Sequence, residues 1–298
     1  MRFDLPTLIR RQTNIRRKQI VLREIVPTAT NAGNLYRAAY KPIIEAWERA
    51  IERIGAEYAR SVPVRDSVVV LHRQSAGQVI EPLLPATIND SLFDLESLLA
   101  SLGDELSRLV LSITPSLREW AVQTERWHRS RWRGNVLTAT GVDISTMLLA
   151  GEQPQSVAEA IAWNVSLIKD VSEQTRSRVS SAVFAAFRAR LQVRDLAKEL
   201  SEIVGASRIR ARGIAADQLS KLSGALDTER MNEAGLDRWK YRHGGKLHAR
   251  PWHRARDGKI YSLKTNKQIG GDDDIKAGDA PSEPPWCSCR KQGIIDLS

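Results

Sequence analysis

The residue types best suited to chemistry lie near the C-terminus, in HARPWHRARDGKIY at 248–261 and PPWCSCRKQG at 284–293. A structural zinc ion needs four nitrogen, sulfur or oxygen ligands that converge tetrahedrally. Alternate residues of an extended segment point to the same side, so two cysteines separated by one residue can face one ion. The candidate ligands in these stretches are His248, His253, Asp257, Cys287 and Cys289.

The spacing of these residues also supports an interpretation without a metal. His248 and His253 stand five positions apart with Pro251 between them, which excludes the helical i, i+4 histidine pair of zinc enzymes. The order H-x4-H…C-x-C matches no standard zinc motif. In the alternative, the cysteines are buried small apolar groups and the histidines form hydrogen bonds within a turn-rich fold. The sequence favours this second interpretation, with no cofactor, over a structural zinc.

An enzyme built on the same stretch is a third hypothesis. His243, His248 and His253, together with the neighbouring arginines, are residue types that can cleave a phosphodiester bond or simply bind phosphate. A nucleophilic cysteine would need a neighbouring base. The sequence contains no Walker loop, no G-x-S-x-G and no G-x-G-x-x-G after a strand. We therefore expect no catalytic residues and no enzyme, with a nuclease or toxin-like module as the alternative.

The elements that must position this stretch are predicted to be mostly helical. Apolar residues recur every three or four positions through most of the chain, whereas short strand-like runs with Asp-Gly and Gly-Gly turns follow. The predicted fold is therefore mainly α, with a small α+β or turn-rich C-terminal module. Four segments are expected: a basic N-terminal arm (1–32), an N-terminal helical region (33–135), a second helical part (136–233) and the C-terminal module (234–298).

Proline and glycine residues divide the helical part into shorter predicted helices. Pro115 is expected to begin a helix, and Gly141 to end one. Gly205 and Gly224 are expected to serve as helix C-caps. The run DSVVVLHR at 66–73 has the composition of a strand within a turn-rich section.

The chain carries a formal net charge of +10, which favours a polyanionic or acidic partner. The basic residues concentrate near the N-terminus, at 126–135 and between 238 and 256. Each cluster alone is also explained as a solvated helix face, and Trp127 and Trp132 fit a helix core better than a stack against bases. The candidates for contact with double-stranded DNA are Arg10, Arg11, Arg16, Arg17, Lys18, Arg126, Arg129, Arg131 and Arg133.

The composition is that of a soluble globular protein, with 42% hydrophobic and 27% charged residues. No apolar run reaches the roughly 18 residues of a membrane span, and the first residues lack the apolar core of a secretory signal. Two cysteines separated by one residue exclude a secreted disulfide scaffold. We therefore expect no membrane contact and folding in a reducing cytoplasm.

Several stretches between 136 and 293 follow one another in the order of a known family. They are VLTATGVDISTML, LIKDVSEQTRSRVSSAVFAAFRA, the run at 193–242, RPWHRARDGKIY and PPWCSC. This ordered set resembles the Mu-F-like head-morphogenesis family, the minor head proteins of tailed bacteriophages. RPWHRARDGKIY is similar to its R-P-x-H-x-x-x-D-G-K-[IV]-[FY] motif, and PPWCSC to its terminal C-x-C element. The family's motif positions fall here on Arg250, Pro251, His253, Asp257, Gly258, Cys287, Cys289 and Arg290.

The resemblance implies a structural, low-copy minor capsid protein needed for correct head morphogenesis, with 136–233 as the helical part of its head-morphogenesis domain. It implies association with the portal protein and with other capsid or scaffold proteins. It also implies a place in the virion, inside the procapsid and beside packaged DNA, after assembly in the host cytoplasm. We expect the helical region to bind the portal and the basic clusters to face the DNA.

Overall fold

The computed structural model describes residues 3–61, 87–147 and 154–298. The predicted strand at 66–73 lies outside the described residues. Long helices and a small C-terminal sheet confirm the predicted, mainly α fold class. In chain order the elements are α1 (Leu5–Gln12), β1 (Gln19–Val21), α2 (Ala29–Leu35), a π-helical turn (Tyr36–Tyr40), α3 (Lys41–Ser61), α4 (Thr87–Thr140), α5 (Gln155–Ala189), α6 (Val193–Glu233), β2 (Arg238–Arg242), α7 (Pro251–Ala255), β3 (Ile260–Ser262) and β4 (Arg290–Asp296).

The chain divides into two compact units, each drawn from several segments. Unit 1 comprises Met1–Tyr40, Ile113–Ser166 and Ala211–Ser298, and unit 2 comprises Lys41–Ser112 and Leu167–Arg210. The helices α4, α5 and α6 therefore contribute residues to both units. All five candidate metal ligands belong to unit 1.

Unit 1 contains a four-stranded antiparallel sheet with the strand order β1-β4-β2-β3. Trp239 and Tyr241 of β2 point to the same side of the sheet because alternate strand residues share a face. Both side chains are fully buried, as is Tyr261 of β3, which pairs with Trp239. The rings of Trp239 and Tyr261 stack with their centroids 5.0 Å apart. These large rings supply much of the apolar contact that holds the short strands in place.

The segment predicted as a basic arm contributes to the core of unit 1. Leu5 and Ile9 of α1 lie one helical turn apart and are both fully buried. Ile20 of β1 faces the same core and pairs with Ile295 of β4. The arm therefore buries its apolar side chains in unit 1, while charged residues such as Arg17 stay exposed.

Three predicted helix ends are wrong, because Pro115 lies inside α4 and Gly205 and Gly224 lie inside α6. A C-cap glycine adopts a positive φ. Gly141 has a φ of +74° where α4 ends, which confirms the prediction that this glycine ends a helix. Gly205 and Gly224 have no positive φ and continue the helix. Pro115 removes the hydrogen bond to the carbonyl of Leu111. Leu111 is 68% exposed, so water can take the place of the missing donor.

Unit 2 is a bundle of helices whose apolar stripes face one another. In α3 the buried residues include Ile43, Trp47, Ile54 and Tyr58, at the spacing of one helix face. The hydroxyl of Tyr58 donates a hydrogen bond to the carbonyl of Leu191 at 2.8 Å, just beyond the end of α5. The same hydroxyl lies 3.0 Å from the carbonyl of Ala186 in the last turn of α5, so Tyr58 ties α3 to the end of that helix.

The long helices also carry buried polar pairs. Between α4 and α6 in unit 1, His128 Nε2 lies 2.9 Å from Asp227 Oδ1, and both side chains are almost fully buried. Arg230 of α6 contacts Glu125 of α4, again inside the protein. Such groups are stable in the interior only when they are paired. In the described part of the chain, no helix is both long and apolar enough to cross a membrane.

Candidate functional site

Three of the predicted ligands converge in the C-terminal module. His253 lies in α7, and Cys287 and Cys289 lie in the loop that leads into β4. The Nδ1 atom of His253 is 3.6 Å from the sulfur of Cys287 and 3.6 Å from the sulfur of Cys289. All three side chains are buried, and their ligand atoms lie within 4.8 Å of one another. We call this group the His-Cys-Cys cluster.

A carboxylate fixes the orientation of the His253 ring. The Nε2 atom of His253 lies 2.9 Å from Oδ1 of Asp279, and Trp252 Nε1 donates to the same oxygen. Burial alone would raise the pKa of Asp279, but hydrogen bonds from His253, Arg256 and Trp252 lower it below the ordinary value. Asp279 is therefore a carboxylate, and it accepts a hydrogen bond from Nε2 of His253. The other ring nitrogen, Nδ1, faces the two sulfur atoms.

The sequence around His253 explains why the ring sits there. Pro251 occupies the first turn of α7, where its missing N–H costs no hydrogen bond. Gly258 has a φ of +80° and turns the chain from α7 towards β3. The edge of the Tyr241 ring packs against the His253 ring, with centroids 6.0 Å apart. The R-P-x-H-x-x-x-D-G run is thus a helical turn followed by a glycine turn that presents His253 to the core.

The other two predicted ligands do not belong to the His-Cys-Cys cluster among the described residues. Asp257 accepts a hydrogen bond from the backbone N–H of His243 at 2.8 Å and lies 3.6 Å from Arg242. It therefore joins the turn after α7 to the end of β2. His248 is exposed and lines a cavity of about 340 Å³ beside the cluster. His243 lines the same cavity.

The surroundings of the two sulfur atoms shift their pKa values in opposite directions. The pKa of the Cys287 thiol is lowered, chiefly by a hydrogen bond from the Cys289 side chain and further by backbone hydrogen bonds from Cys289 and Ser282. The pKa of Cys289 is raised, first by that same interaction with Cys287 and then by burial. A backbone hydrogen bond from Gly244 and the hydroxyl of Tyr241 act in the opposite direction on Cys289. The thiol of Cys287 therefore loses its proton readily, whereas the thiol of Cys289 keeps its proton.

A seam of small and polar residues on α6 holds the cysteine loop. These residues recur at helical spacing on one face, at positions 213, 217, 220 and 224. The carboxylate of Asp217 accepts from the backbone N–H of Trp286 at 2.6 Å, and the hydroxyl of Ser220 donates to the carbonyl of Cys287 at 2.9 Å. An added Cβ at Gly224 would lie 2.6 Å from the Cβ of Ser282. We call these four α6 positions and their contacts the α6 seam.

Arg290 closes the loop from the other side. Its side chain is buried, and Nη1 donates to the hydroxyls of Ser220 and Ser282 and to the carbonyl of Cys289, at 2.7–3.0 Å. Burial lowers the pKa of Arg290, although a guanidinium keeps its charge in proteins. The family-motif arginine therefore ties the cysteine loop to α6, a role that the sequence alone did not predict.

The nine candidates for DNA contact lie on the surface of unit 1, with the exception of Arg129. In the third basic cluster, Arg256 is buried and pairs with Asp273 and Asp279. Arg11, Arg16 and Arg17 are exposed, and so are Arg126, Arg131 and Arg133 of α4. Arg129 contacts Glu125 at 2.7 Å beside the buried Arg230. Trp132 is buried and Trp127 packs partly against the core of unit 1, as the helix-core interpretation predicted. The exposed members remain candidates for DNA contact, whereas Arg129 is already engaged within the fold.

Sequence reasoning missed Asp279, Asp217 and Ser220. Asp279 stands in the turn-rich run GDDDIKAGDAPSEPP, where no periodicity distinguishes it from its acidic neighbours. Asp217 and Ser220 look like ordinary polar positions of an amphipathic helix. The one available signal was the recurrence of small and polar residues along a single face of α6.

Comparison with known proteins supports the resemblance. Residues 177–292 match the family model described as "Phage Mu protein F like protein", which supports the likeness that the motifs predicted. The match includes the α6 seam, α7 and the His-Cys-Cys cluster. An uncharacterized protein of Haemophilus influenzae is 30% identical over 128 residues, which is 43% of this chain and 29% of that protein. No solved structure gave a significant match.

Proposed function

We propose that this protein is a minor head protein of a tailed bacteriophage that acts in head morphogenesis and catalyses no reaction. The observation that carries the proposal is the Mu F-like match over residues 177–292. The expected place of the protein is the virion, after assembly of the head in the host cytoplasm.

Phage particles test this proposal directly. Heads released by gentle lysis are expected to contain the polypeptide in mass spectrometry, in far fewer copies than the major capsid protein. A phage with a stop codon early in the gene is expected to give aberrant heads, and the wild-type gene supplied in trans is expected to restore them. Normal heads that lack the polypeptide would contradict the proposal.

We propose that the partner in the head is the portal protein and that helices supply the contact. Exposed apolar side chains on the helices are the positions at which we test this contact. In unit 2, Phe93 is 69%, Leu111 68% and Ile209 74% exposed. Ile209→Asp is expected to reduce capture by the portal protein in a pull-down, and Ser201→Asp at another exposed α6 position serves as the control. If the portal protein captures both variants equally, Ile209 is not part of the contact.

We propose that the exposed basic residues of unit 1 contact packaged DNA through its phosphates. Replacing Arg10, Arg11, Arg16, Arg17 and Lys18 by Gln is expected to weaken non-specific DNA binding. Each lost phosphate contact reduces the magnitude of the slope of log K against log salt by about 0.9, so the five replacements should reduce it by up to about 4.5. Five similar replacements at exposed basic positions of unit 2 (Arg49, Arg188, Arg190, Arg194 and Lys198) provide a control of equal charge. Equal slopes for the two sets would contradict a specific role of the arm.

The nuclease or toxin-like alternative depends on the histidines of the module. His253 contacts Asp279 through Nε2 and the two sulfur atoms through Nδ1. His243 and His248 line the neighbouring cavity and are the remaining candidates. Turnover of DNA or RNA that His248→Ala abolishes would favour the enzyme over the structural protein.

A further inference from the structure

We infer that His253 Nδ1, Cys287 Sγ and Cys289 Sγ bind one zinc ion, whose fourth ligand comes from the adjoining cavity. The inference concerns a site that the head-protein proposal does not need. The fourth ligand is a water molecule or one of the two cavity histidines, His243 and His248.

The spacing of the three atoms fits a tetrahedral zinc ion. Zinc binds cysteine sulfur at about 2.3 Å and histidine nitrogen at about 2.0–2.1 Å, which in a tetrahedron separates sulfur from nitrogen by about 3.6 Å. In the protein, both sulfur atoms lie 3.6 Å from His253 Nδ1. Both sulfur–nitrogen separations therefore match those of a tetrahedral zinc site, and all three ligand atoms lie within 4.8 Å of one another.

Both sulfur atoms of the cluster approach the same nitrogen of His253. They lie at equal distances of 3.6 Å from Nδ1, so the three atoms converge on one point, as metal ligands do. A metal ion at the centre accepts the lone pair of Nδ1 and both sulfur atoms at once.

The surrounding groups are those expected around a metal ligand. A ligating histidine usually donates its other N–H to a carboxylate, which fixes the ring and its tautomer. Asp279 fills this place at 2.9 Å and is itself held by Arg256 and Trp252. The buried hydroxyl of Tyr241 has no hydrogen-bond partner of ordinary geometry within the described residues. Its neighbour is Cys289, and a metal-bound sulfur there would accept a hydrogen bond from this hydroxyl.

The donor set identifies the metal by its chemistry. Two thiolates and one imidazole are soft or borderline ligands, which suit zinc, whereas Mg²⁺ and Ca²⁺ prefer oxygen ligands. Bound zinc would join α7 to the cysteine loop, since His253 and the cysteines come from separate segments of unit 1. It would add a covalent-strength link to the hydrogen bonds of the α6 seam.

Metal analysis of the full chain tests the inference. Protein prepared under reducing conditions, without a histidine tag, is expected to contain about one zinc per chain. Cys287→Ser with Cys289→Ser is expected to bring the content near zero. His128→Gln alters a buried histidine in the same unit that also faces an aspartate, and this control is expected to keep the zinc. A zinc content near zero in the wild type, or one unchanged in the double cysteine variant, would overturn the inference.

A second measurement covers the case in which the cysteine variants fail to fold. Wild-type protein stripped by a chelator and reloaded with Co²⁺ is expected to show the visible absorption of cobalt bound tetrahedrally by thiolates. Amide hydrogen exchange in residues 245–290 is expected to rise on stripping and to fall on reloading with Zn²⁺, while exchange in α3 stays unchanged. A wild-type protein that gives no cobalt spectrum and shows no change in exchange has no metal site here.

Discussion

The α6 seam predicts opposite effects for two glycine substitutions in unit 1. Gly224 lies where α6 meets the cysteine loop, and an added Cβ would stand 2.6 Å from the Cβ of Ser282 and 3.5 Å from the carbonyl of Pro281. Gly134 lies in α4, is exposed, and has no atom within 4 Å of its added Cβ. Both residues are helical, so Ala in either place brings the same intrinsic gain in helix formation.

The magnitudes follow from these two environments. Replacing Gly by Ala inside a helix stabilises it by about 1 kcal/mol, and Gly134→Ala should show this gain in full. Carbon atoms in contact normally stand about 3.5–4.0 Å apart, so Gly224→Ala lacks roughly 1 Å of room. Overpacking of this kind costs about 1–3 kcal/mol. The free energies of unfolding of the two variants should therefore differ by about 1–3 kcal/mol, with Gly224→Ala the less stable.

The loop has little freedom to relieve this contact. Ser282 has a φ of +69°, its hydroxyl donates to the carbonyl of Cys289 at 2.9 Å, and the same hydroxyl accepts from Arg290. Ser282→Gly removes the obstructing Cβ and suits the positive φ. Ser282→Gly also removes both hydrogen bonds of the hydroxyl, so it carries a cost of its own. In the Ser282→Gly background, however, Gly224→Ala should cost less than it does in the wild type.

Urea denaturation followed by tryptophan fluorescence and circular dichroism measures these differences. A double-mutant cycle over positions 224 and 282 isolates the coupling energy of the contact. The packing of the seam is refuted if Gly224→Ala is as stable as Gly134→Ala, or if the cycle gives no coupling between the two positions.

Three further predictions concern the buried polar groups. His128→Ala leaves the buried carboxylate of Asp227 without its partner, and we expect a loss of about 3–5 kcal/mol in the free energy of unfolding; a loss below 1 kcal/mol would contradict this. The pKa of Asp273 is held below 3.8, chiefly by a hydrogen bond from Arg256. Its stabilisation is therefore complete above about pH 5 and is lost as the pH falls through the lowered pKa, so Asp273→Asn should flatten the acid side of a stability–pH curve. Asp279→Asn should weaken zinc binding about 10–100-fold, measured in competition with a chelator. An unchanged zinc affinity would show that Asp279 does not position His253 as a metal ligand.

Local patterns predicted the helical body and several details of the module. Gly141 ends α4 because a positive φ is needed there, and glycine adopts it readily. The alternation of Cys287 and Cys289 correctly placed both sulfur atoms on one side. These features depend on residues close together in the chain, and a local pattern is sufficient to read them.

The errors arose where distant contacts decide the structure. Gly205 and Gly224 resemble C-caps when read locally, yet α6 continues through both. At Gly224 the absence of a side chain serves the approach of Ser282, which lies far along the chain. Asp279 was missed for the same reason, since its partner His253 belongs to another segment. The spacing of the candidate ligands along the chain therefore matches no familiar zinc motif. It does not exclude the His-Cys-Cys cluster, because that cluster forms only when distant segments fold together.

The N-terminal arm shows how the fold limits the experiments on function. Five of its apolar residues are buried in the core of unit 1, namely Leu5, Ile9, Ile20, Leu22 and Ile25. Burying a Leu or Ile side chain contributes about 1.5–3 kcal/mol, so together they account for roughly 7–15 kcal/mol, a range comparable to the whole stability of a domain. Deleting the arm would therefore unfold unit 1 and release the strand that pairs with β4. Loss of DNA binding after such a deletion would say nothing about phosphate contacts, whereas neutralising the exposed arginines leaves the buried face intact. The arm must be tested through its charges, because its apolar residues are part of the core.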